Sequence, residues 1–111
     1  MKGSFIIRGT AVLLMVLAAH GVVARQKAAA NQVAIDNYSF SPQTLTVPVG
    51  TTVTWINHDD VPHTVLSMDK KTIASPALDT DEKFSYTFSK AGTYSYYCSL
   101  HPKMIGQIVV R

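Results

Sequence analysis

The sequence contains a single cysteine, Cys98, which excludes an internal disulfide. It also lacks any cluster of basic residues, the electrostatic footprint that nucleic-acid-binding proteins carry. No internal repeat is visible, and after residue 24 no segment has the period of an amphipathic helix. What remains is a small β-rich domain with one thiol, which must be buried, bound to a partner chain or bound to a metal.

The N-terminus has the pattern of a secretory signal peptide. Lys2 and Arg8 form a basic start, and residues 10–19 are an uninterrupted apolar or small run, shorter than the roughly 20 residues of a membrane-spanning helix. We therefore expect a signal peptide over 1–24, a flexible mature N-terminus over 25–31 and one domain over 32–111. Cleavage near residues 28–30 and an uncleaved anchor are the alternatives.

Export would change both the charge and the chemistry of the chain. Loss of Lys2 and Arg8 lowers the formal net charge from +3 to +1. In an oxidising compartment a free exposed thiol is a liability, so Cys98 needs an occupant or burial. The prediction is a periplasmic or secreted monomer with no nucleic-acid partner and no stable membrane insertion after cleavage.

The mature part reads as a series of short strands. Residues 51–57 are rich in β-branched and aromatic side chains, and residues 84–89 alternate large aromatic with small polar side chains. Residues 93–97 form another such run, and Pro48 and Gly92 are among the turn signals between strands. This pattern predicts about seven strands in an all-β fold, a small antiparallel β-sandwich or barrel.

Three metal-binding side chains follow one another in the C-terminal third of the chain. Cys98, His101 and Met104 are spaced by three residues and again by three. A thiolate, an imidazole and a thioether are three of the four ligands of a blue-copper site. A helix would also place them on one face, but Pro102 disfavours a helix at His101, so we predict a tight loop. A core residue is the alternative interpretation of Met104.

The fourth ligand must be a histidine from elsewhere in the chain. His20 lies in the predicted signal peptide, which leaves His58 and His63. Pro62 stiffens the approach to His63, and an apolar segment follows it, so its side chain should be held against the body of the domain. His58 lies beside two aspartates in a polar turn, where a solvated surface histidine is expected. The sequence favours His63.

Three segments together resemble a known family. NYSFSP (37–42), VTWIN (53–57) and AGTYSYYCSLHPKMIG (91–106) are similar to the corresponding segments of cupredoxins, the blue-copper proteins, and the short ligand loop is most similar to that of amicyanin. The resemblance implies a Greek-key antiparallel β-sandwich with one type 1 copper ion that cycles between Cu(I) and Cu(II). Its ligands would be the imidazoles of His63 and His101, the thiolate of Cys98 and, axially, the thioether of Met104.

The resemblance also implies a role and partners. It implies a one-electron carrier rather than an enzyme, with redox partner proteins such as an amine dehydrogenase as donor and a c-type cytochrome as acceptor. Leu100, Pro102 and Met104 are expected to surround the exposed edge of His101 as a docking surface, with Lys103 contributing to partner choice.

One position departs from the family, and three other functions compete. Thr64 stands where family members often carry an asparagine, and its hydroxyl is expected to hydrogen-bond across to the ligand loop. Copper delivery or storage is the alternative function. A thiol enzyme using Cys98 with His63 or His101 lacks an orienting third group and leaves Met104 without a role. These ligands would also accept zinc.

Overall fold

Eight strands form the part of the chain that the computed structural model describes, residues 31–111. The predicted signal peptide over 1–24, and residues 25–30 of the predicted flexible segment, lie outside the described residues. The strands are β1 (Gln32–Asp36), β2 (Ser39–Ser41), β3 (Thr44–Val47), β4 (Thr51–Asn57), β5 (Leu66–Ser67), β6 (Lys83–Phe88), β7 (Gly92–Cys98) and β8 (His101–Val110). Within residues 31–111 no helix has the length and apolar character needed to cross a bilayer.

The strands form two four-stranded sheets. One sheet has the order β2-β1-β4-β6, and the other has the order β3-β8-β7-β5. The expected all-β sandwich is confirmed, but the sheets are mixed rather than purely antiparallel. The β1–β4 and β3–β8 pairs run parallel, whereas the other four pairs run antiparallel.

Aromatic side chains from both sheets meet in the core. Trp55 on β4 and Tyr96 on β7 are both fully buried, and their rings contact edge to face with centroids 5.4 Å apart. Phe88 on β6 is also fully buried, so the alternation read from residues 84–89 correctly predicts an inward-facing side. The Trp55 Nε1 and Tyr96 Oη atoms are buried without a hydrogen-bond partner.

The hairpin of β7 and β8 is irregular at the end that carries the ligand candidates. Tyr97 pairs with Ile105, yet the next residue, Cys98, pairs with His101. Residues 102–104 therefore form a bulge on β8, and Ser99 and Leu100 make the two-residue turn. The predicted loop is thus a tight turn followed at once by a strand that begins at His101.

Gly106 leaves room for the buried Tyr96 ring to approach the backbone of β8 closely. It pairs with Tyr96 in the register, and a Cβ at this position would lie 2.6 Å from both Cζ and Oη of Tyr96. Any larger residue would therefore displace the Tyr96 ring, two positions before the cysteine.

Candidate metal centre

Three side chains from two separate parts of the chain converge at one end of the sandwich. Cys98 ends β7, His101 begins β8, and His63 lies between β4 and β5, where it bridges to Leu78. The ligand atoms of His63, Cys98 and His101 all lie within 4.8 Å of one another, and no other group of three or more metal-ligating His, Cys, Asp or Glu side chains occurs in residues 31–111. Cys98 and His63 are fully buried, and His101 is half-buried.

The distances fit a single metal ion. The Sγ atom of Cys98 lies 3.7 Å from Nδ1 of His63 and 3.7 Å from Nδ1 of His101. An ion about 2.3 Å from a sulfur and about 2.0 Å from a nitrogen, at a trigonal angle, separates those two atoms by about 3.7 Å. Two imidazoles and one thiolate around one point form the equatorial ligand set of a type 1 copper site. Both sulfur-to-nitrogen distances therefore fit one copper ion bound between these residues.

Thr64 surrounds the sulfur with hydrogen-bond donors. Its backbone N–H donates to Cys98 Sγ at 3.4 Å, and its hydroxyl lies 3.8 Å from the same atom. The hydroxyl oxygen also accepts the N–H of Ser99 at 2.7 Å and lies 2.8 Å from the Ser99 hydroxyl. The expected bond across to the ligand loop is therefore present. It ties the turn of the β7–β8 hairpin to the segment that carries His63.

The carboxylate of Asp59 fixes the ring of His63 at Nε2, the ring nitrogen that does not face Cys98. Oδ2 of Asp59 lies 2.8 Å from Nε2 of His63. Because a carboxylate only accepts, Nε2 must carry the ring proton, which leaves the lone pair of Nδ1 free for a metal. Asn57, fully buried at the end of β4, accepts the Asp59 N–H through Oδ1 at 2.9 Å and so positions the carboxylate.

The Asp59 carboxylate also holds a strained turn. Its oxygens accept the backbone N–H groups of Asn37 at 2.7 Å and Tyr38 at 3.0 Å. Burial opposes ionisation of Asp59, but these two N–H groups and the His63 imidazole outweigh it, so the pKa of Asp59 lies below its ordinary value. Asn37 and Tyr38 form the two-residue β1–β2 turn with φ of 53° and 58°. This left-handed conformation costs Tyr38 about 1–2 kcal/mol, whereas an asparagine such as Asn37 adopts it more readily.

Tyr38 uses that turn to place its ring against both imidazoles. The ring centroids lie 5.4 Å from His63 and 4.9 Å from His101, with interplanar angles of 89° and 88°. The two imidazole centroids are themselves 4.9 Å apart. Tyr38 is nevertheless 50% exposed, so it lies at the boundary between the metal centre and solvent.

The remaining candidates occupy different environments. Met104 is buried in the β8 bulge with 6% of its surface exposed, so it cannot belong to the expected docking surface. Leu100 is 50% exposed and Pro102 is exposed, as that prediction requires. His58 is exposed and lies outside the group of three ligand atoms; its backbone N–H donates to the Ile35 carbonyl.

Sequence reasoning missed Asp59 and Tyr38. Asp59 was interpreted only as part of a polar turn, although its position four residues before a candidate ligand was a usable signal. Tyr38 lies in segment 37–42, which carries part of the family resemblance, but its contact with His63 depends on how the β1–β2 hairpin packs.

Fold and site together define a class: a small β-sandwich with one mononuclear metal centre of the type 1 copper kind. A family model for a cupredoxin-like domain matches residues 8–110. The chain belongs to this family, which confirms the resemblance predicted from the three segments.

Individual relatives agree with this assignment. The chain is 41% identical over 70 residues to amicyanin from Paracoccus denitrificans, and the matched region covers 60% of this chain and 53% of that protein. It is 34% identical over 100 residues to amicyanin-alpha from Methylorubrum extorquens, covering 85% of this chain and 84% of that one. A solved structure, a purple cupredoxin from Nitrosopumilus maritimus, is 39% identical in sequence with a TM-score of 0.65, and the match covers 72% of this chain and 98% of that chain.

Proposed function

We propose that the protein is an exported mononuclear type 1 copper protein that carries single electrons between redox partner proteins. His63, Cys98 and His101 are the equatorial ligands in this proposal, and Met104 is the axial ligand. The observation that carries it is the convergence of two Nδ1 atoms, each 3.7 Å from the one buried thiol. Copper bound there supplies a one-electron Cu(I)/Cu(II) couple.

The protein's own residues do the rest of the work. Cys98 provides a thiolate whose charge the Thr64 N–H partly neutralises. Asp59 keeps the His63 ring in one orientation and one tautomer. The two-residue turn between Cys98 and His101 leaves little room for the ligands to move apart. A ligand set held in this way changes little when an electron arrives or leaves, which is the property an electron carrier needs.

The exposed surface beside His101 supports transient partners. Leu100 is half-exposed next to the partly exposed His101, so a partner can approach the ligand ring directly across apolar surface. Small apolar contacts of this kind suit redox encounters that must separate quickly. An amine dehydrogenase as electron donor and a c-type cytochrome as acceptor are the specific partners we propose, with Lys103 at the edge of the contact.

The primary test is copper loading followed by spectroscopy. The protein should bind one Cu(II), show an intense visible thiolate-to-copper absorption and lose that absorption on reduction. Cys98→Ser should remove the band. A colourless protein with stoichiometric Cu(II) would rule out the type 1 assignment.

A second measurement separates electron transfer from copper delivery or storage. Repeated cycles of reduction and oxidation in the presence of a copper chelator should leave the copper in the protein. Copper that passes to the chelator within a few cycles would instead favour delivery.

The proposed location rests on the N-terminal pattern. We propose that residues 1–24 direct export to the periplasm and are removed, and that residues 32–111 form the copper-binding domain. Cell fractionation followed by mass spectrometry of the purified chain would test both points. A mature protein that still begins at Met1 in the cytoplasmic fraction would overturn them.

A further inference from the structure

We propose that Tyr38 is a positioning residue for the metal ligands, and that the Asp59 carboxylate holds Tyr38 in place while it anchors His63. The proposal rests on the copper function argued above. It assigns a role to the β1–β2 turn, which supplies no ligand, and it makes Asp59 the link between that turn and the metal centre.

The backbone of the turn is the first observation. Tyr38 is a large aromatic residue at φ 58°, a conformation that persists only where the surroundings impose it. Asp59 imposes it by accepting the N–H groups of both Asn37 and Tyr38. Strain of this kind at a functional centre indicates that the position of the side chain matters.

The side chain of Tyr38 is the second observation. Its ring stands nearly perpendicular to both imidazoles, with centroids 5.4 Å and 4.9 Å away. Perpendicular aromatic pairs at these distances are favourable beyond the area that they bury. One ring therefore restrains two ligands at once.

The third observation is the unequal support of the two imidazoles. His63 has the Asp59 carboxylate at its Nε2 atom, 2.8 Å away. The described residues provide no hydrogen bond to Nε2 of His101, which is only half-buried. Ring packing by Tyr38 and His63 thus takes the place of the missing anchor, so loss of the Tyr38 ring should loosen His101 in particular.

Two substitutions separate the ring from the turn. Tyr38→Gly removes the ring and suits the left-handed backbone, so the turn itself should remain folded. Tyr38→Phe keeps the ring and serves as the matched conservative variant. Asp59→Ala removes both carboxylate oxygens, so the N–H groups of Asn37 and Tyr38 and the Nε2–H of His63 all lose their partner.

The first readout is the rate at which a Cu(I) chelator removes copper from the reduced protein. Tyr38→Gly should raise this rate about tenfold, the lower end of the effect expected for a residue that orients a metal ligand, and Tyr38→Phe should restore the wild-type rate. In the Asp59→Ala background, Tyr38→Gly should change the rate less than twofold, because the ring is already displaced. A second tenfold increase would show that the two residues act independently and would overturn the proposal.

The second readout needs no copper. In the metal-free protein, nuclear magnetic resonance should show ring-current shifts on the carbon-bound protons of His63 and His101. The part of those shifts that Tyr38 causes should disappear in Tyr38→Gly, persist in Tyr38→Phe and shrink in Asp59→Ala. Shifts that survive unchanged in Asp59→Ala would refute the proposed link. If the wild-type protein failed to form a type 1 site, the copper function would fall, while this experiment would still decide the link between Asp59 and Tyr38.

Discussion

Asn57, the last residue of β4, holds the segment that carries Asp59 and His63. Its side chain is fully buried. Nδ2 donates to the carbonyl oxygens of Val61 at 2.9 Å and Leu78 at 2.8 Å, and Oδ1 accepts the Asp59 N–H at 2.9 Å. We predict that Asn57→Ala destabilises the fold and weakens copper binding together.

The magnitude follows from which backbone groups lose a partner. The Leu78 carbonyl keeps the hydrogen bond from the His63 N–H at 3.1 Å, so it remains satisfied. The Val61 carbonyl and the Asp59 N–H both lose their partner when the Asn57 amide is removed. Each buried polar group left without a hydrogen bond costs about 1–3 kcal/mol. Because the site is only partly buried, we expect the free energy of unfolding to fall by about 2–4 kcal/mol. In a domain of this size the Tm should fall by about 10–25 °C.

Calorimetry and urea unfolding of the metal-free protein test this value. Thr52→Ala on the same strand is the matched control, because its hydroxyl bonds only to the Thr87 hydroxyl, at 2.7 Å in an exposed pair. Such a pair contributes less than about 1 kcal/mol. If Asn57→Ala cost no more than Thr52→Ala, the three hydrogen bonds of Asn57 would not be what holds the segment, and the reasoning would be wrong.

Three further predictions concern the sulfur and the aromatic core. Thr64→Val removes the hydroxyl that lies 3.8 Å from Cys98 Sγ. A hydrogen-bond donor at the sulfur stabilises the Cu(I) form of the site, which carries more negative charge than the Cu(II) form. Loss of the hydroxyl should therefore lower the reduction potential by about 20–40 mV. Thr64→Ser is the control in a spectroelectrochemical titration, and a rise in potential would contradict the argument. Burial raises the pKa of Tyr96 to about 12 from 10.0. Tyr96 therefore loses its hydroxyl proton at a lower pH in the unfolded chain than in the folded protein. The stability that the protonated Tyr96 contributes is fully present below pH 10. The free energy of unfolding should then fall by up to about 2–3 kcal/mol as the pH rises toward 12. Tyr96→Phe should flatten that part of the stability profile, and an unchanged slope would refute the assignment. Gly106→Ala places a Cβ 2.6 Å from the Tyr96 ring and should lower the free energy of unfolding by about 1–3 kcal/mol, measured by urea unfolding; a neutral effect would mean that the ring moves freely.

The parts of the site that the sequence predicts are local. Cys98, His101 and Met104 lie within seven residues, and the identity of their side chains already suggests one metal. His63 followed by elimination, and the structure places it with Cys98 and His101. The composition and the alternation of residues 51–57 predict a strand with one buried face. The structure confirms this prediction, because β4 has the same bounds.

The parts that it does not predict depend on contacts distant in sequence. Alternation reports which face of a strand is buried, but it does not name the neighbouring strand, so the parallel β1–β4 and β3–β8 pairs were not foreseen. Asp59 read as a solvated residue because its three hydrogen-bond donors come from two separate parts of the chain. Pro102 suggested a loop, although the bulge on β8 accommodates it within a strand.

The two imidazoles differ in a way that matches two requirements of an electron carrier. His63 is fully buried and anchored by a carboxylate, so its position is set by the fold and should be the same in both oxidation states. His101 is half-buried on a two-residue turn, so it offers a short path between the metal and a partner protein. A centre made of two buried imidazoles would hold its geometry but would be slow to exchange electrons, and one made of two exposed imidazoles would exchange electrons but lose copper. The Tyr38 ring contacts both imidazoles, and its contact with His101 adds packing where the fold provides the least support.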